Sequence, residues 1–296
     1  MQSFTSILDD NQIKKINKKF KSFRIFISNP NILFFYKTKD ISISIFKNKK
    51  LLLQGNNADA FYQNLFNKTQ VTKKNISFDK GYIGCDEVGV GDYFGGLVTC
   101  AVYLDKKNEI ILRKIGVKDS KNLSNLQMQQ MFKEIIKYVK FSCLSFKPEK
   151  YNEMINKFHN THILKAYMHD LTIKDLIKKH HLKNAPIVMD EFVNENKYYS
   201  YFEKININNP QIISIFETKA ENKYLAVAAA SIIARIYFLK QVNELSINLK
   251  RQLLLGSSNP KIIDIAKDIY KKGKEPLLKK YVKIDFKTTK KFIINE

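Results

Sequence analysis

Cysteine is scarce in this chain. Cys85, Cys100 and Cys143 form an odd set with no C-x-x-C spacing, which excludes a disulfide framework and offers no zinc site; they read as small buried hydrophobes. The N-terminus, MQSFTSILDDNQIKK, lacks an apolar leader core, and no stretch provides a charge-free span long enough to cross a bilayer. The reading is a cytoplasmic protein without membrane association. Negative charge is also in short supply: 51 Lys and Arg face 28 Asp and Glu, a net charge of +23. Such an excess predicts a polyanionic partner, nucleic acid first, although an AT-rich genome also inflates Lys, Asn and Ile. Internal repeats are absent, and 44% hydrophobic with 27% charged residues suits a packed globular protein rather than a disordered one.

At 296 residues the chain accommodates one large domain with a modest second one. Residues 1–70 carry 12 Lys and Arg against four Asp, a net +8. In LDDNQIKKINKKFKSF, Asp9 or Asp10 caps a helix with Ile13, Ile16, Phe20 and Phe23 at helical spacing. DISISIFKNKKLLLQG alternates Ile41, Ile43 and Ile45 with Ser42 and Ser44, turns at KNKK and returns, a hairpin with one apolar face. NADAFYQNLF adds a helix. These elements make a small α+β domain over 1–70, followed by a linker at 67–80 and a larger domain over 81–296. In the larger domain, strand-like runs (KGYIGCD, GLVTCAVYL, KFSCLSFK, APIVMDEF, QIISIFET) alternate with helical stretches. That order gives an α/β fold, a mixed sheet with helices packed on it. KYLAVAAASIIARIYFLKQVNEL is apolar nearly all round, the mark of a helix buried in the core.

Chemistry concentrates in GCDEVGVGDYFGG, residues 84–96. Asp86 ends the apolar run YIGC, and Asp190 ends APIVM. Carboxylates at buried strand ends are costly unless they meet cations or donors, and strand ends in one α/β sheet converge on one crevice. Glu221 stands just ahead of the buried helix, where service to the helix dipole is the alternative role. Asp86, Glu87, Asp190 and Glu221 form an all-oxygen set without His or Cys, suited to Mg²⁺ or Mn²⁺. In a basic protein, this set points to two-metal-ion phosphodiester hydrolysis. The glycines beside it let main-chain N–H groups approach a sugar-phosphate backbone. His159, His162, His169, His180 and His181 have no Cys among them and read as solvated or core-satisfying.

DEVGVGDYFGG, GVKDSKNL, TKAENKYLAVAAASIIAR and KKGKEPLLKKYVKIDFKTTKKF resemble, in order, the motifs of bacterial ribonuclease HIII in the ribonuclease HII/HIII family. The resemblance implies a ribonuclease H-like mixed sheet flanked by helices, preceded by a small α+β domain similar to the TATA-binding-protein fold that holds the substrate. It implies cleavage of the RNA strand of RNA/DNA hybrids with Mg²⁺ or Mn²⁺ at a two-ion site. Asp86, Glu87, Asp190 and Glu221 then become the catalytic, metal-binding carboxylates. Gly89, Val90 and Gly91 face the RNA strand, where backbone contacts to 2′-hydroxyls tell ribose from deoxyribose. By the same resemblance Ser120 and Lys121 look like part of a phosphate-contacting loop, against an exposed turn before the Ser124 helix, and Lys121 and Lys219 would neutralise phosphate near the cluster. Lys47, Lys49 and Lys50 are the candidates for nucleic-acid contact in the N-terminal domain, against a merely solvated turn. A monomer is expected. The type II enzymes of the family carry Arg where Val90 stands, and a catalytically silent hybrid-binding protein would show a broken carboxylate set. The chain departs from the family pattern at Gly96, where Pro is usual, at Asp170 in place of Asn, at Asp285 in place of His, and at LLLGSSNP.

Overall fold

The computed structural model describes residues 3–66, 76–117 and 124–293. The chain divides into two compact units, Met1–Asn75 and Ile76–Glu296. In the first, β1 (Ser3–Ile7) leads to α1 (Asp10–Lys19), followed by β2 (Ile32–Lys37), β3 (Ile41–Phe46), β4 (Lys50–Gly55) and α2 (Ala58–Phe66). The antiparallel sheet runs β1-β4-β3-β2. Asp9 caps α1 through a reciprocal capping box with Gln12. The β3–β4 hairpin pairs Ile43 with Leu53 and Ile45 with Leu51. These residues share a buried core with Ile16, Phe20 and Tyr36. The helix stops short of Phe23, which lies in a following 3₁₀ turn, 46% exposed. β1 and β2 were not legible in the sequence: SFTSI is largely polar, and ILFFYK is an apolar run without alternation.

The second unit is built on β5 (Tyr82–Val88), β6 (Leu97–Leu104), β7 (Lys140–Phe146), β8 (Ile187–Asp190) and β9 (Ile215–Glu217). Their order is β7-β6-β5-β8-β9; β5, β6 and β7 are antiparallel neighbours, while β5, β8 and β9 are parallel. The parallel set brings the C-terminal ends of β5 and β8, and hence Asp86 and Asp190, to one edge of the sheet. Between and after the strands run α3 (Lys106–Ile115), α4 (Asn125–Ile135), α5 (Pro148–Phe158), α6 (Thr161–His180), α7 (Glu195–Lys204), α8 (Leu225–Leu249), α9 (Pro260–Leu278) and α10 (Lys287–Ile293). Ser124 and Gln127 form the expected capping box on α4.

One face of this sheet packs on α8 and the other on α6 and α7. Tyr82, Val98, Cys100, Val102 and Val188 join Leu225–Ala230 and Phe238 of α8 in one core. Ile83, Cys85, Ala101, Ile187 and Met189 join Ile163, Ala166, Ile173 and Tyr198 in the other. α8 is long and apolar enough to cross a membrane by composition, but two thirds of that span is buried in the protein, as its all-round apolarity requires. Its alanines let it approach β5 closely at Gly84, where an added Cβ would lie 2.3 Å from the Val227 nitrogen. That close approach holds the α8 side chains next to Asp86.

Candidate active site

Side chains alternate across a strand, so Asp86 and Glu87, though adjacent in sequence, leave β5 on opposite faces. Asp86 turns to the α8 side, where the Ser231 hydroxyl bonds to it, and its Oδ1 also accepts from the Glu87 N–H at 2.8 Å. Burial pushes its carboxyl up to about 8, and the negative charges of Glu87 and Asp190 add to the rise against the Ser231 bond.

Glu87 turns to the α6 side and meets the opposite environment. Its side chain is 12% exposed. Lys165 Nζ lies 2.5 Å from Oε1, and His169 Nε2 lies 2.9 Å from Oε2. Lys165 and His169 are one helical turn apart on α6 and both buried. Lys165 Nζ also sits 3.8 Å from the centre of the Phe192 ring, on which His169 stacks. Burial pushes Glu87 upward, but the hydrogen bond and pull of His169, together with the charge of Lys165, outweigh it and hold the carboxyl at about 2. The sequence pair is therefore two chemically different carboxylates.

Asp190 ends β8, and its Oδ1 accepts from the Ala220 N–H at 2.8 Å. Burial raises it, with Glu221 and Glu87 adding to the rise against the Ala220 bond and Lys165. Glu221 stands in the 3₁₀ turn Ala220–Asn222, ahead of α8 rather than in its first turn. The Ala220 bond ties that turn to Asp190, and Lys219, exposed and in the left-handed region, opens it. Asp86 and Asp190 are thus raised together, as oxygen donors short of positive charge, which fits a hard divalent cation. Among the described residues, no three His, Cys, Asp or Glu side chains stand close enough to hold an ion as they are. Glu87 has both oxygens engaged.

The glycine loop follows directly. Gly89 has φ +106° and is buried; a Cβ there would come 2.6 Å from the Gly96 carbonyl and 2.7 Å from the Phe238 ring. Val90 and Gly91 are exposed, and nothing stands within 4 Å of a Cβ built on Gly91. At Gly96, the N–H donates to Gln241 Oε1 at 2.6 Å, and the Gln241 amide nitrogen donates to Ser145 Oγ. A proline at this position would have no N–H to give, so the bond to Gln241 requires a residue such as Gly96. Asp170, the second departure, is buried and satisfied by Lys174 at 2.7 Å and the Gln211 N–H at 2.7 Å. Asp285, the third, accepts from the Tyr151 hydroxyl at 3.3 Å. Ser120 and Lys121 lie outside the described residues. In the N-terminal unit, Lys47 and Lys50 are exposed, while Lys49 pairs with Asp10 at 2.9 Å.

The family model described as Ribonuclease HII matches residues 83–289, and one described as a domain of unknown function (DUF3378) matches residues 3–77. Over 301 residues the chain is 36% identical to the ribonuclease HIII of Phytoplasma mali, covering 100% of both chains. The chain belongs to the ribonuclease HII/HIII family. Among solved structures, Bst-RNase HIII in complex with Mn²⁺ matches with a TM-score of 0.67 and 25% identity, over 98% of this chain and 97% of that one. The ribonuclease H2 of Pyrococcus horikoshii OT3 matches with a TM-score of 0.59 and 28% identity, over 71% of this chain and 96% of that one. The family makes this chain a ribonuclease H-type endonuclease with a mixed-sheet fold and a small N-terminal unit.

Four residues around the site of this ribonuclease H escape a reading confined to acidic residues: Lys165, His169, Phe192 and Ser231. Lys165 and His169 share the inward face of α6 with Ile173 and Ala166. A lysine and a histidine at i and i+4 on an apolar face was the available signal.

The charge imbalance gives a stability test. Asp86 has a folded pKa above its unfolded value, so unfolding releases a proton between about pH 4 and 8 and this residue lowers stability as pH rises through that window. In metal-free buffer, Asp86→Asn should be more stable than the wild type at pH 8 by about 2 kcal/mol or more, with the gain shrinking towards pH 4. Urea unfolding across that range measures it; a pH-independent difference would show that Asp86 is not raised.

Proposed function

We propose that this ribonuclease H cuts the RNA strand of RNA/DNA hybrids by metal-dependent phosphodiester hydrolysis, with Asp86, Glu87, Asp190 and Glu221 as its catalytic carboxylates. The observation that carries the reading is the placing of Asp86 and Asp190 side by side on the parallel strands β5 and β8, with the Glu221 turn tied to Asp190 through the Ala220 N–H. In a protein of net charge +23, two carboxylates left short of positive charge at one sheet edge are suited to a divalent cation. Asp86, Asp190 and Glu221 would hold magnesium or manganese at two positions. The bound ions would supply an activated water and stabilise the leaving oxygen.

The chain's own residues then divide the work. Ser231 and the Glu87 N–H orient Asp86, and the Ala220 N–H orients Asp190, so neither carboxylate has to be ordered when the site is filled. Glu87 already has a counter-charge in Lys165, and each of its oxygens accepts one hydrogen bond, which leaves a lone pair with which it would join a metal. Gly89–Gly91 would read consecutive 2′-hydroxyls through the backbone, because Val90 offers no charged side chain. Lys219, with Ser120 and Lys121, would meet the phosphates. The N-terminal unit, with Lys47 and Lys50 exposed, would supply affinity for the hybrid. The enzyme would work as a monomer in the cytoplasm.

Asp86→Asn and Asp190→Asn should each abolish cleavage of a labelled hybrid while leaving its binding intact. Near-normal turnover at saturating metal in either variant would defeat the assignment. The wild type should cut a continuous hybrid efficiently and a DNA duplex containing one ribonucleotide poorly; comparable rates would indicate the type II specificity instead.

Removal of residues 1–75 should raise the half-saturating hybrid concentration far more than it lowers the maximal rate. It should also flatten the fall of affinity with salt, since fewer counterions are released. A folded truncated enzyme with unchanged affinity and salt slope would assign the N-terminal unit to another partner.

A further inference from the structure

The chemistry above leaves one buried cation unused. Lys283 has no exposed surface, and among the described residues no carboxylate oxygen pairs with its amine. Its Nζ donates instead to the carbonyls of Asp92 and Gly95, the latter at 2.9 Å. Its own N–H donates to the Tyr93 carbonyl at 3.0 Å. One residue thus satisfies three carbonyls of the glycine loop. The rings of Tyr151, Phe238 and Phe286 surround the amine, with centroids at 5.4, 5.9 and 5.4 Å.

Burying a lysine away from water is expensive, and burial pulls this amine down to about 7 against the charges of Asp92 and Asp285. A methionine would fill much the same space without that cost. What methionine cannot do is donate to two loop carbonyls, which would otherwise be buried and unsatisfied. The clamp also reaches the leading turn of the loop. Phe238, beside Lys283, would touch a Cβ at Gly89 at 2.7 Å and one at Gly95 at 3.0 Å, so lysine, ring and both glycines pack as one block.

The segment that carries Lys283 is itself fastened to the loop and to α5. Val282 bridges to Phe94, and the Gly95 N–H donates to the Tyr281 carbonyl at 3.0 Å. Asn152 donates to the Val282 carbonyl at 2.8 Å and accepts from the Ile284 N–H at 3.0 Å. Further along, the Thr289 hydroxyl meets that of Tyr93 at 2.8 Å.

We infer that Lys283 is a positioning residue for ribose recognition: it holds the Asp92–Gly95 arm of the loop so that Gly89–Gly91 present their backbone to the RNA strand in a single conformation. The inference rests on the reading that residues 89–91 contact that strand. Lys283 touches neither substrate nor metal; it acts through the loop.

The test uses the full-length protein and hybrids whose RNA strand carries one 2′-deoxy substitution at each successive position around the cut. The wild type should lose rate sharply at a few positions. Lys283→Met should flatten that profile and raise KM about tenfold, with a smaller change in kcat and an unchanged Mn²⁺ concentration for half-maximal rate. Thr289→Val, which loosens the same loop through Tyr93, should shift the profile in the same direction to a smaller extent. A folded Lys283→Met with the wild-type profile and KM would overturn the inference. Equal rate losses on all substrates would also overturn it, as the mark of a purely structural lysine. Should Lys283→Met fail to fold, an unchanged profile in Thr289→Val is sufficient to overturn it. A flat profile in the wild type would instead remove the underlying reading of residues 89–91.

Discussion

A β-strand cannot point two consecutive side chains the same way, and the candidate site follows from that constraint at Asp86 and Glu87. Asp86 goes to the α8 face and finds a hydroxyl and a backbone N–H. Glu87 goes to the α6 face and finds a lysine and a histidine. One carboxyl is driven up and its neighbour down by the company each keeps, with burial acting on both. A dipeptide that reads as a paired motif is, physically, a division of labour: one carboxylate is kept short of positive charge, and the other is neutralised in advance. Separating the pKa values of neighbouring carboxyl groups through their surroundings is a general way to give them different tasks.

The rest of the second unit serves this placement. Parallel pairing of β5 with β8 sets Asp190 at the same edge as Asp86, and the Ala220 N–H ties the Glu221 turn to it. Gly84 lets α8 lie against β5, which keeps Ser231 within reach of Asp86. Beyond the strand, the loop at 89–96 is tightly held from behind. Gln241 takes the Gly96 N–H, Lys283 takes the carbonyls of Asp92 and Gly95, and Tyr93 is bonded to Thr289. Val90 and Gly91 are exposed at its tip, with Asp92 partly so.

Much of this was legible in the sequence because the signals were local. YIGC before Asp86 and APIVM before Asp190 read as buried strands ending in carboxylates; β8 does end on Asp190, whereas β5 runs on through Glu87 to Val88 and holds Asp86 two residues inside its end. The apolar helix ahead of which Glu221 stands read as core, and it is core. What stayed hidden depends on contacts between residues far apart in the chain. Lys165 meets Glu87 across 78 positions, and Lys283 meets Gly95 across 188. Nothing near Lys283 in YVKIDF says that its amine faces inward, because lysine is ordinarily a surface residue. The polar strand β1 was missed for a similar reason: it is defined by its pairing with β4 and not by its own pattern. Family resemblance supplied the roles of the acidic residues, but the geometry distinguishes between them.

Burial raises the Asp86 carboxyl, so a cation taken up there would displace its proton. Titration calorimetry of Mn²⁺ into metal-free protein at pH 7, repeated in buffers of different ionisation enthalpy, measures the protons released on binding. Release of roughly one proton per protein is expected, lost together with most of the affinity in Asp86→Asn. Binding without proton release, or unchanged binding to Asp86→Asn, would contradict it.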